Sequence, residues 1–457
     1  MAAAYILKPL TDCTSVTRCS QYLFLPLLLA IMNGMKEKQS RWSSWPRLLL
    51  WSHVVGVTIF YIVLWLRIKP YEGNKPSHAR LRSASPPARE TGKTVSIIVP
   101  ARDEALNIRR CVTSLLEQDY DNYEVIVVDD ASSDGTGEIL DEIARTHPHA
   151  DRLWVLRLRD LPEGWAGKPH ALHRGVQEAH GHWLLFTDAD TWHAPGALRF
   201  ALTRAMQEDV DLLSLGTTQE LPGFWNKVMM PMAYLGISMQ YPPKLVNDPT
   251  SPVAIANGQY ILLRRAVYDI LGGYARPDLR NTLVDDRDLA YIVKATGFRL
   301  LFVDGRDYVH VHMYRSLRET WHGWRKNVFL GSRGGLPFVA VQIIGLPMVA
   351  IVPFLLPVLG RLLMGNRRTR GLSVGEVNAA SLLEVGASVG YRLWMDKNLR
   401  VPWYYAFTHP LAATLFEGIL IQSAWRVLTG RGVDWRGRQY YDKSSMPASD
   451  EPREVTV

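Results

Sequence analysis

Apolar positions along this chain follow two regimes. Between residues 94 and 330 they form short runs that alternate with amphipathic stretches, whereas elsewhere they form long runs that polar residues barely interrupt. Val95-Ser96-Ile97-Ile98-Val99 predicts a strand, closed by Pro100. Residues 104–118 place Leu106, Ile108, Val112, Leu115 and Leu116 at helical spacing. A second strand is predicted over 124–128, ending in Asp129-Asp130, and Ser133-Asp134-Gly135-Thr136 turns the chain into a helix over 137–146. A strand over 153–158, a helix over 168–179 and a strand over 183–186 follow. Strands over 255–263 and 298–303 then bracket a helix over 286–296. Such alternation predicts an α/β domain over 94–330, with a mostly parallel sheet covered by helices.

The long runs divide the rest of the chain. Residues 1–46 form an N-terminal segment whose apolar stretch, 22–35, is too short to span a membrane and precedes no small-residue cleavage site. Segment 47–69 contains about the 20 apolar residues a bilayer requires, with Trp51 and Trp65 near its ends and Arg67 and Lys69 after it. A basic, Pro- and Ser-rich linker over 70–93 leads to the α/β domain. Residues 331–430 are a C-terminal membrane region. There 336–364 is either one Pro-kinked span or a re-entrant hairpin, 374–395 is apolar but carries Glu376, Glu384 and Arg392, and 403–428 reads as a span. Residues 431–457 form a tail.

Charge narrows the partners. The formal net charge is +8, but Arg and Lys gather beside the apolar segments rather than in basic-aromatic repeats. That pattern fits a lipid bilayer and phosphate-bearing substrates, and no nucleic acid is expected. The three cysteines, Cys13, Cys19 and Cys111, have no metal-ligand or redox spacing, as expected of a domain in a reducing compartment.

The candidate chemistry centres on Trp183-Leu184-Leu185-Phe186-Thr187-Asp188-Ala189-Asp190. A buried strand ends in two carboxylates spaced i, i+2, so both reach one point beyond the strand end, where α/β sheets bind ligands. Two hard oxygen donors there suit Mg2+ or Mn2+; a lone Asp-x-Asp is also an ordinary polar turn. Further acids follow other strands: Asp103, Asp129 with Asp130, and Asp285 with Asp286. Repulsion among so many carboxylates on one rim calls for a cation. His310 and His312 alternate on a predicted strand, so either one imidazole, His312 in the favoured assignment, joins the metal or both serve packing. Asn257-Gly258-Gln259 either lines a substrate pocket, with Gly allowing close backbone approach, or is a plain bulge, and Trp321, Trp324, Arg325 and Lys326 lie on a mixed apolar-basic helix expected at the membrane interface. No Gly-x-Gly-x-x-Gly follows the first strand, and Gly164 to Pro169 lacks P-loop spacing.

Five stretches taken together resemble family 2 glycosyltransferases of GT-A fold: Val95 to Glu104, Val127 to Thr136, Gly167 to Leu172, Thr187 to Asp190, and Val284 to Ala290. Within that family the chain is similar to the membrane-anchored ceramide glucosyltransferase-like, carotenoid-acid and hopanoid-associated branches. The resemblance implies that Pro100, Arg102, Glu104 and Asp130 border a nucleotide, and that Lys168 and Asp188 contact its diphosphate. It further implies that Asp188 and Asp190 hold the metal and that Asp286 is the general base. Asp285 stands where Glu is more usual. Of the Gln-x-x-Arg-Trp motif of processive members only Trp324 is present, since Thr320 and Gly323 replace Gln and Arg, which argues against a polysaccharide synthase.

The expected activity is an inverting transfer of a sugar from a nucleotide-sugar, a UDP-sugar by the resemblance, to a hydroxyl or carboxyl of a membrane lipid acceptor. A nucleotidyltransferase and a non-catalytic membrane scaffold are the rival readings. The expected placement is multi-pass in the cell membrane with a cytoplasmic catalytic domain. Keeping the basic run 367–370 and the C-terminus inside makes 336–364 a hairpin, and 374–395 and 403–428 a crossing pair with an outer loop near Asn398.

Overall fold

The computed structural model describes residues 45–67, 95–330, 335–364, 372–429, 431, 433–435 and 438–440. The expected 22–35 segment, the 70–93 linker, the basic run 367–370 and the tail beyond residue 440 lie outside the described residues. Two compact units result, Met1–Thr58 with Leu355–Glu384, and Ile59–Phe354 with Val385–Val457.

In chain order, helix α1 (Trp45–Arg67) precedes the α/β domain. That domain runs β1 (Val95–Ala101), α2 (Ile108–Leu116), β2 (Tyr123–Asp130), α3 (Thr136–Thr146), β3 (Leu153–Leu158), α4 (Gly167–Gln177), β4 (Trp183–Phe186) and β5 (Thr191–His193). It continues through α5 (Ala197–Gln207), β6 (Leu212–Gly216), β7 (Thr218–Gln219), α6 (Phe224–Gln240), β8 (Ile261–Arg264), α7 (Asp285–Ala295), β9 (Leu300–Asp304) and β10 (Val309–Val311). Helices α8 (Leu317–Leu330), α9 (Gly335–Ala350), α10 (Val352–Met364), α11 (Val374–Asn398) and α12 (His409–Leu428) follow, then strands β11 (Val433–Trp435) and β12 (Arg438–Tyr440).

Seven strands form the main sheet in the order β3-β2-β1-β4-β8-β6-β9. The β3-β2-β1-β4 half is wholly parallel, whereas β8 runs antiparallel to both β4 and β6. Both faces are covered, which is why the strands read as continuous apolar runs. Ile97, Val99, Val125, Val127 and Leu185 face one core, and Ile98, Ile126, Val128, Leu184 and Phe186 face the other. Helix α4 lies close on the second face because Gly175 has no side chain; a Cβ there would meet Ile98 Cγ2 at 2.6 Å.

Register fixes the functional rim. Ile98 pairs with Phe186 and Ala101 with Asp129, so Arg102, Asp130 and Asp188 leave the sheet side by side. Antiparallel β8 starts at that rim, Ile261 opposite Phe186, and delivers the preceding turn to it. The strand expected over 255–263 is therefore confined to Ile261–Arg264. Residues 257–260 turn instead, with the Tyr260 N–H donating to Asn257 O at 2.9 Å and the Asn257 N–H to Ser214 Oγ at 2.8 Å.

Among the helices, Trp45–Arg67 and Trp403–Leu428 are long and apolar enough to cross a membrane. The 336–364 stretch is a pair of helices bent by 65° at a break, the form of either a broken span or a re-entrant loop. Helix α11 opens on a reciprocal cap, Ser373 N–H to Glu376 Oε2 at 3.0 Å and Glu376 N–H to Ser373 Oγ at 3.2 Å. In the first unit Glu376 pairs with Arg47 at 2.7 Å and Glu384 with His53 at 2.7 Å. These partners succeed one another in the same order, so α1 and α11 run parallel there. The second unit corrects the outer loop expected near Asn398. Arg306 Nη1 donates to Asn398 O at 3.1 Å, and Arg400 lies 3.6 Å from Asp307, so that turn rests on the α/β domain.

Candidate active site

A cavity of about 620 Å3 opens at the sheet rim. Pro100, Arg102, Glu104, Asp130, Lys168, Asp188, Asp190 and Asp286 all line it, so every expected site residue except His312 is brought together. Arg102 Nη1 donates to Asp130 O at 2.6 Å, which ties the ends of β1 and β2. Glu104 accepts from Asn107 Nδ2 at 2.9 Å, and its carbonyl receives the Ile108 N–H at 2.8 Å, so it also starts α2. Asp103 and Asp129 take no part in the cavity. Asp103 Oδ1 receives the Ser133 N–H and Asp129 Oδ1 the Ser132 N–H, making both supports of the loop after β2.

The chemical centre is a knot of charge. Lys168 Nζ, from the first turn of α4, lies 2.8 Å from Asp188 Oδ1 and 3.5 Å from Asp285 Oδ2. Burial alone would lower the Lys168 ammonium, but Asp188, Asp285 and Asp286 outweigh it and hold the group above its ordinary range. Burial pushes the Asp285 carboxyl up to about 6, with Lys168 opposing the rise and Asp286 and Asp188 adding to it. Asp286 receives two backbone donors, Gly258 N–H on Oδ2 at 3.1 Å and Arg287 N–H on Oδ1 at 2.8 Å. Gly258 sits where no larger residue fits undisturbed, since a Cβ would stand 3.0 Å from Lys168 Nζ and 3.4 Å from Asp286 Oδ2.

Behind the acids lies a buried relay that the sequence pattern did not single out. Thr187 Oγ1 donates to Gln259 O at 2.8 Å, and Thr191 Oγ1 to Asp188 O at 2.7 Å. His193 Nε2 lies 3.1 Å from Thr187 Oγ1 and 2.9 Å from Thr191 Oγ1. Burial pushes the His193 imidazole down to about 3, so it stays neutral at physiological pH.

Helix α8 turns inward at one edge. Trp324 and Lys326, expected at a membrane interface, line the cavity. Burial and the neighbouring Lys168 push the Lys326 ammonium down to about 8, against the pull of Asp285, Asp286 and Asp188. The histidines behave differently from expectation. His310 and His312 face Glu220 at 3.7 and 3.5 Å, and Glu220 is bound to Arg110. Among the described residues no group of three or more His, Cys, Asp or Glu side chains is placed to hold a metal, and His312 stands against Glu220 rather than in the lining of the cavity that holds Asp188 and Asp190. Those two carboxylates remain a fit for Mg2+ or Mn2+, which complete their shells with phosphate oxygens and water, and Asp188 already holds a cationic ammonium.

Comparison with known proteins gives the family of this domain. Residues 96–271 match the family described as Glycosyl transferase family 2. The chain carries a family 2 glycosyltransferase domain. Its mostly parallel sheet with acids along one rim is the GT-A arrangement, and the chain is a glycosyltransferase. A 4,4'-diaponeurosporenoate glycosyltransferase of Staphylococcus aureus (strain bovine RF122 / ET3-1) is 26% identical over 76% of this chain and 88% of that protein. An uncharacterized glycosyltransferase, YibD, of Escherichia coli (strain K12) is 30% identical over 26% of this chain and 32% of that protein. Among solved structures, mannosyltransferase PcManGT from Pyrobaculum calidifontis in complex with GDP-Man and Mn2+ spans 83% of this chain and 97% of that one, at 19% identity and a TM-score of 0.43.

Other residues of the cavity differ in character. Met230 and Ile237 of α6, Val328 of α8, Trp394 and Leu399 at the end of α11, and Phe416 of α12 add apolar lining to it. Nothing in the sequence pattern tied those distant positions to the acidic rim.

Proposed function

We propose that this glycosyltransferase moves a sugar from a nucleotide-sugar to a hydroxyl or carboxyl of a membrane lipid, with inversion at the anomeric carbon. The observation that carries this reading is one cavity lined both by the Asp188-Lys168-Asp286 knot and by apolar residues from the C-terminal helices. A charged donor suits the first lining and an apolar acceptor the second. The relative named for 4,4'-diaponeurosporenoate, a carotenoid acid, supports an apolar acceptor.

Asp188 and Asp190 would hold a divalent cation, which supplies charge stabilisation for a leaving diphosphate. Pro100, Arg102, Glu104 and Asp130 border the nucleotide, a UDP-sugar by family resemblance. Lys168 lies beside the diphosphate and offsets the negative charge that it gains. Asp286, fixed by the Gly258 and Arg287 N–H groups, accepts the proton of an acceptor hydroxyl as its oxygen attacks the anomeric carbon. The bond from that carbon to the diphosphate oxygen breaks, and the electron pair leaves with the nucleotide. A carboxylate acceptor arrives already ionised and needs no base.

The proposed placement is multi-pass, with the catalytic domain cytoplasmic and α1 as one span. Helix α11 crosses beside it, its Glu376 and Glu384 matched by Arg47 and His53. The test of function is protein reconstituted in vesicles of native lipid extract with UDP- and GDP-sugars, read by mass spectrometry. A lipid gaining one hexose or N-acetylhexosamine supports the reading. Release of free sugar alone, or transfer to soluble acceptors only, overturns it.

A further inference from the structure

The helical stretch Trp403–Leu428, of which α12 is the greater part, is long and apolar enough to cross a membrane. Its contacts tell otherwise. Just before α12, Tyr405 packs on Phe224 with ring centroids 5.7 Å apart and lies under Lys227 at 5.9 Å; both partners begin α6 of the catalytic domain. Midway, Phe416 lines the catalytic cavity and meets Trp324 at 6.1 Å. Nearly two turns on, Trp321 Nε1 donates to Gln422 Oε1 at 2.7 Å. Near its end, Ser423 Oγ donates to the carbonyl of Arg325 at 2.6 Å, and Arg325 adjoins Lys326 of the active site. Beyond the end, β11 packs on α8.

From Tyr405 to Ser423 the chain advances by roughly 27 Å, close to the thickness of a hydrocarbon core of about 30 Å. A helix standing across the bilayer would carry Ser423 to the face opposite Tyr405. Yet both ends hold the same catalytic domain.

The other face of α12 is an apolar stripe. Leu411, Ile421, Trp425 and Leu428 are all at least two-fifths exposed, at spacings of ten, four and three residues that keep one side of a helix. Of its polar groups His409 and Glu417 are buried, and the one exposed within the stripe, Thr414, donates its hydroxyl to the Pro410 carbonyl at 2.8 Å. His409 Nε2 meets Tyr61 OH at 3.0 Å, and Tyr61 lies six residues, roughly 9 Å, from the end of α1 that leads to the catalytic domain. That depth matches an interfacial helix, whose apolar face sinks about 5–10 Å below the headgroups.

We propose that α12 does not cross the membrane but lies in the plane of the cytoplasmic leaflet, its stripe against acyl chains and its other face forming a wall of the acceptor chamber. The partner of the stripe is the lipid surface itself, continuous with the lipid around α1. This placement rests on the membrane anchoring proposed above. It lets an apolar acceptor pass from the leaflet past Phe416 to Asp286 without leaving the cytoplasmic half of the bilayer.

The test uses full-length protein lacking Cys13, Cys19 and Cys111, with single cysteines introduced as Leu48→Cys, Lys397→Cys and Arg431→Cys. An impermeant maleimide applied to intact cells should label Leu48→Cys alone, whereas inverted vesicles should expose Lys397→Cys and Arg431→Cys. Fluorophores on Leu411→Cys, Ile421→Cys and Leu428→Cys should be quenched by lipid-borne quenchers at one shallow depth, within about 5 Å of each other. Labelling of Arg431→Cys in intact cells overturns the proposal, as does a depth range of roughly 25 Å from position 411 to 428. Absence of lipid quenching at all three positions also overturns it. Extraction of the protein by alkaline carbonate would instead remove the membrane reading itself, so the two failures are distinct.

Discussion

Gly258 and Asp286 meet through a single backbone hydrogen bond, the Gly258 N–H donating to Asp286 Oδ2 at 3.1 Å. The same glycine leaves room for Lys168, whose Nζ would stand 3.0 Å from an added Cβ. Gly258→Ala should therefore displace the base and the phosphate-facing ammonium together. Turnover should fall by about 10- to 100-fold, because small misplacements of reacting groups cost that much, while the melting temperature changes little. Wild-type turnover in this variant would show that the turn does not position Asp286.

Asp188→Asn and Asp190→Asn should each abolish transfer and weaken nucleotide-sugar binding, because the carboxylates that would hold the cation are neutralised. Titration calorimetry with donor and Mn2+ checks this. Chelator should reproduce the effect in the native protein. Full activity of both variants in chelator contradicts the metal assignment.

The buried His193 imparts a pH dependence to stability. Its folded pKa, near 3, is below the ordinary value of 6.5, so the unfolded chain takes up the proton first as pH falls. Stability from this group is complete above about pH 6.5 and is lost between there and pH 3, at up to about 1.4 kcal/mol per unit. Thermal unfolding of His193→Asn should show a shallower acid slope than the native protein. Parallel slopes would mean that His193 is not held neutral.

Glu384 and His53 form a 2.7 Å pair inside the proposed membrane region, with the Glu384 side chain fully buried. His53→Leu strands that carboxyl and should cost roughly 3 kcal/mol or more, whereas His53→Leu with Glu384→Leu should recover most of the loss. Detergent-solubilised thermal stability decides. Equal stability of the single and double variants would argue against the pair.

Much of the catalytic half was legible in the sequence because its signals are local. Apolar runs ending in Asp130 and Asp188 announce strands and a rim, and parallel register then aligns them. Lys326 was misjudged because a helix carrying Trp and Arg looks interfacial from composition, and only the packing of α8 shows that its lysine turns toward Asp285. The strand expected over 255–263 failed because Asn257 and Gly258 curl toward Ser214 and Asp286 rather than extending. Counting charges hid the pairing of α11, whose acids find Arg47 and His53 more than 300 residues away in sequence. The loop expected outside near Asn398 was misplaced for a related reason, since hydropathy cannot register the grip of Arg306.

The most direct test of the account is the turnover of Asp286→Asn at saturating nucleotide-sugar with a hydroxyl-bearing lipid acceptor. Loss of the base should lower kcat by about two to four orders of magnitude, while donor affinity stays within a few-fold of native because Asp188, Asp190 and Lys168 are untouched. A kcat within a few-fold of native would contradict the assignment of Asp286 and the geometry built around it.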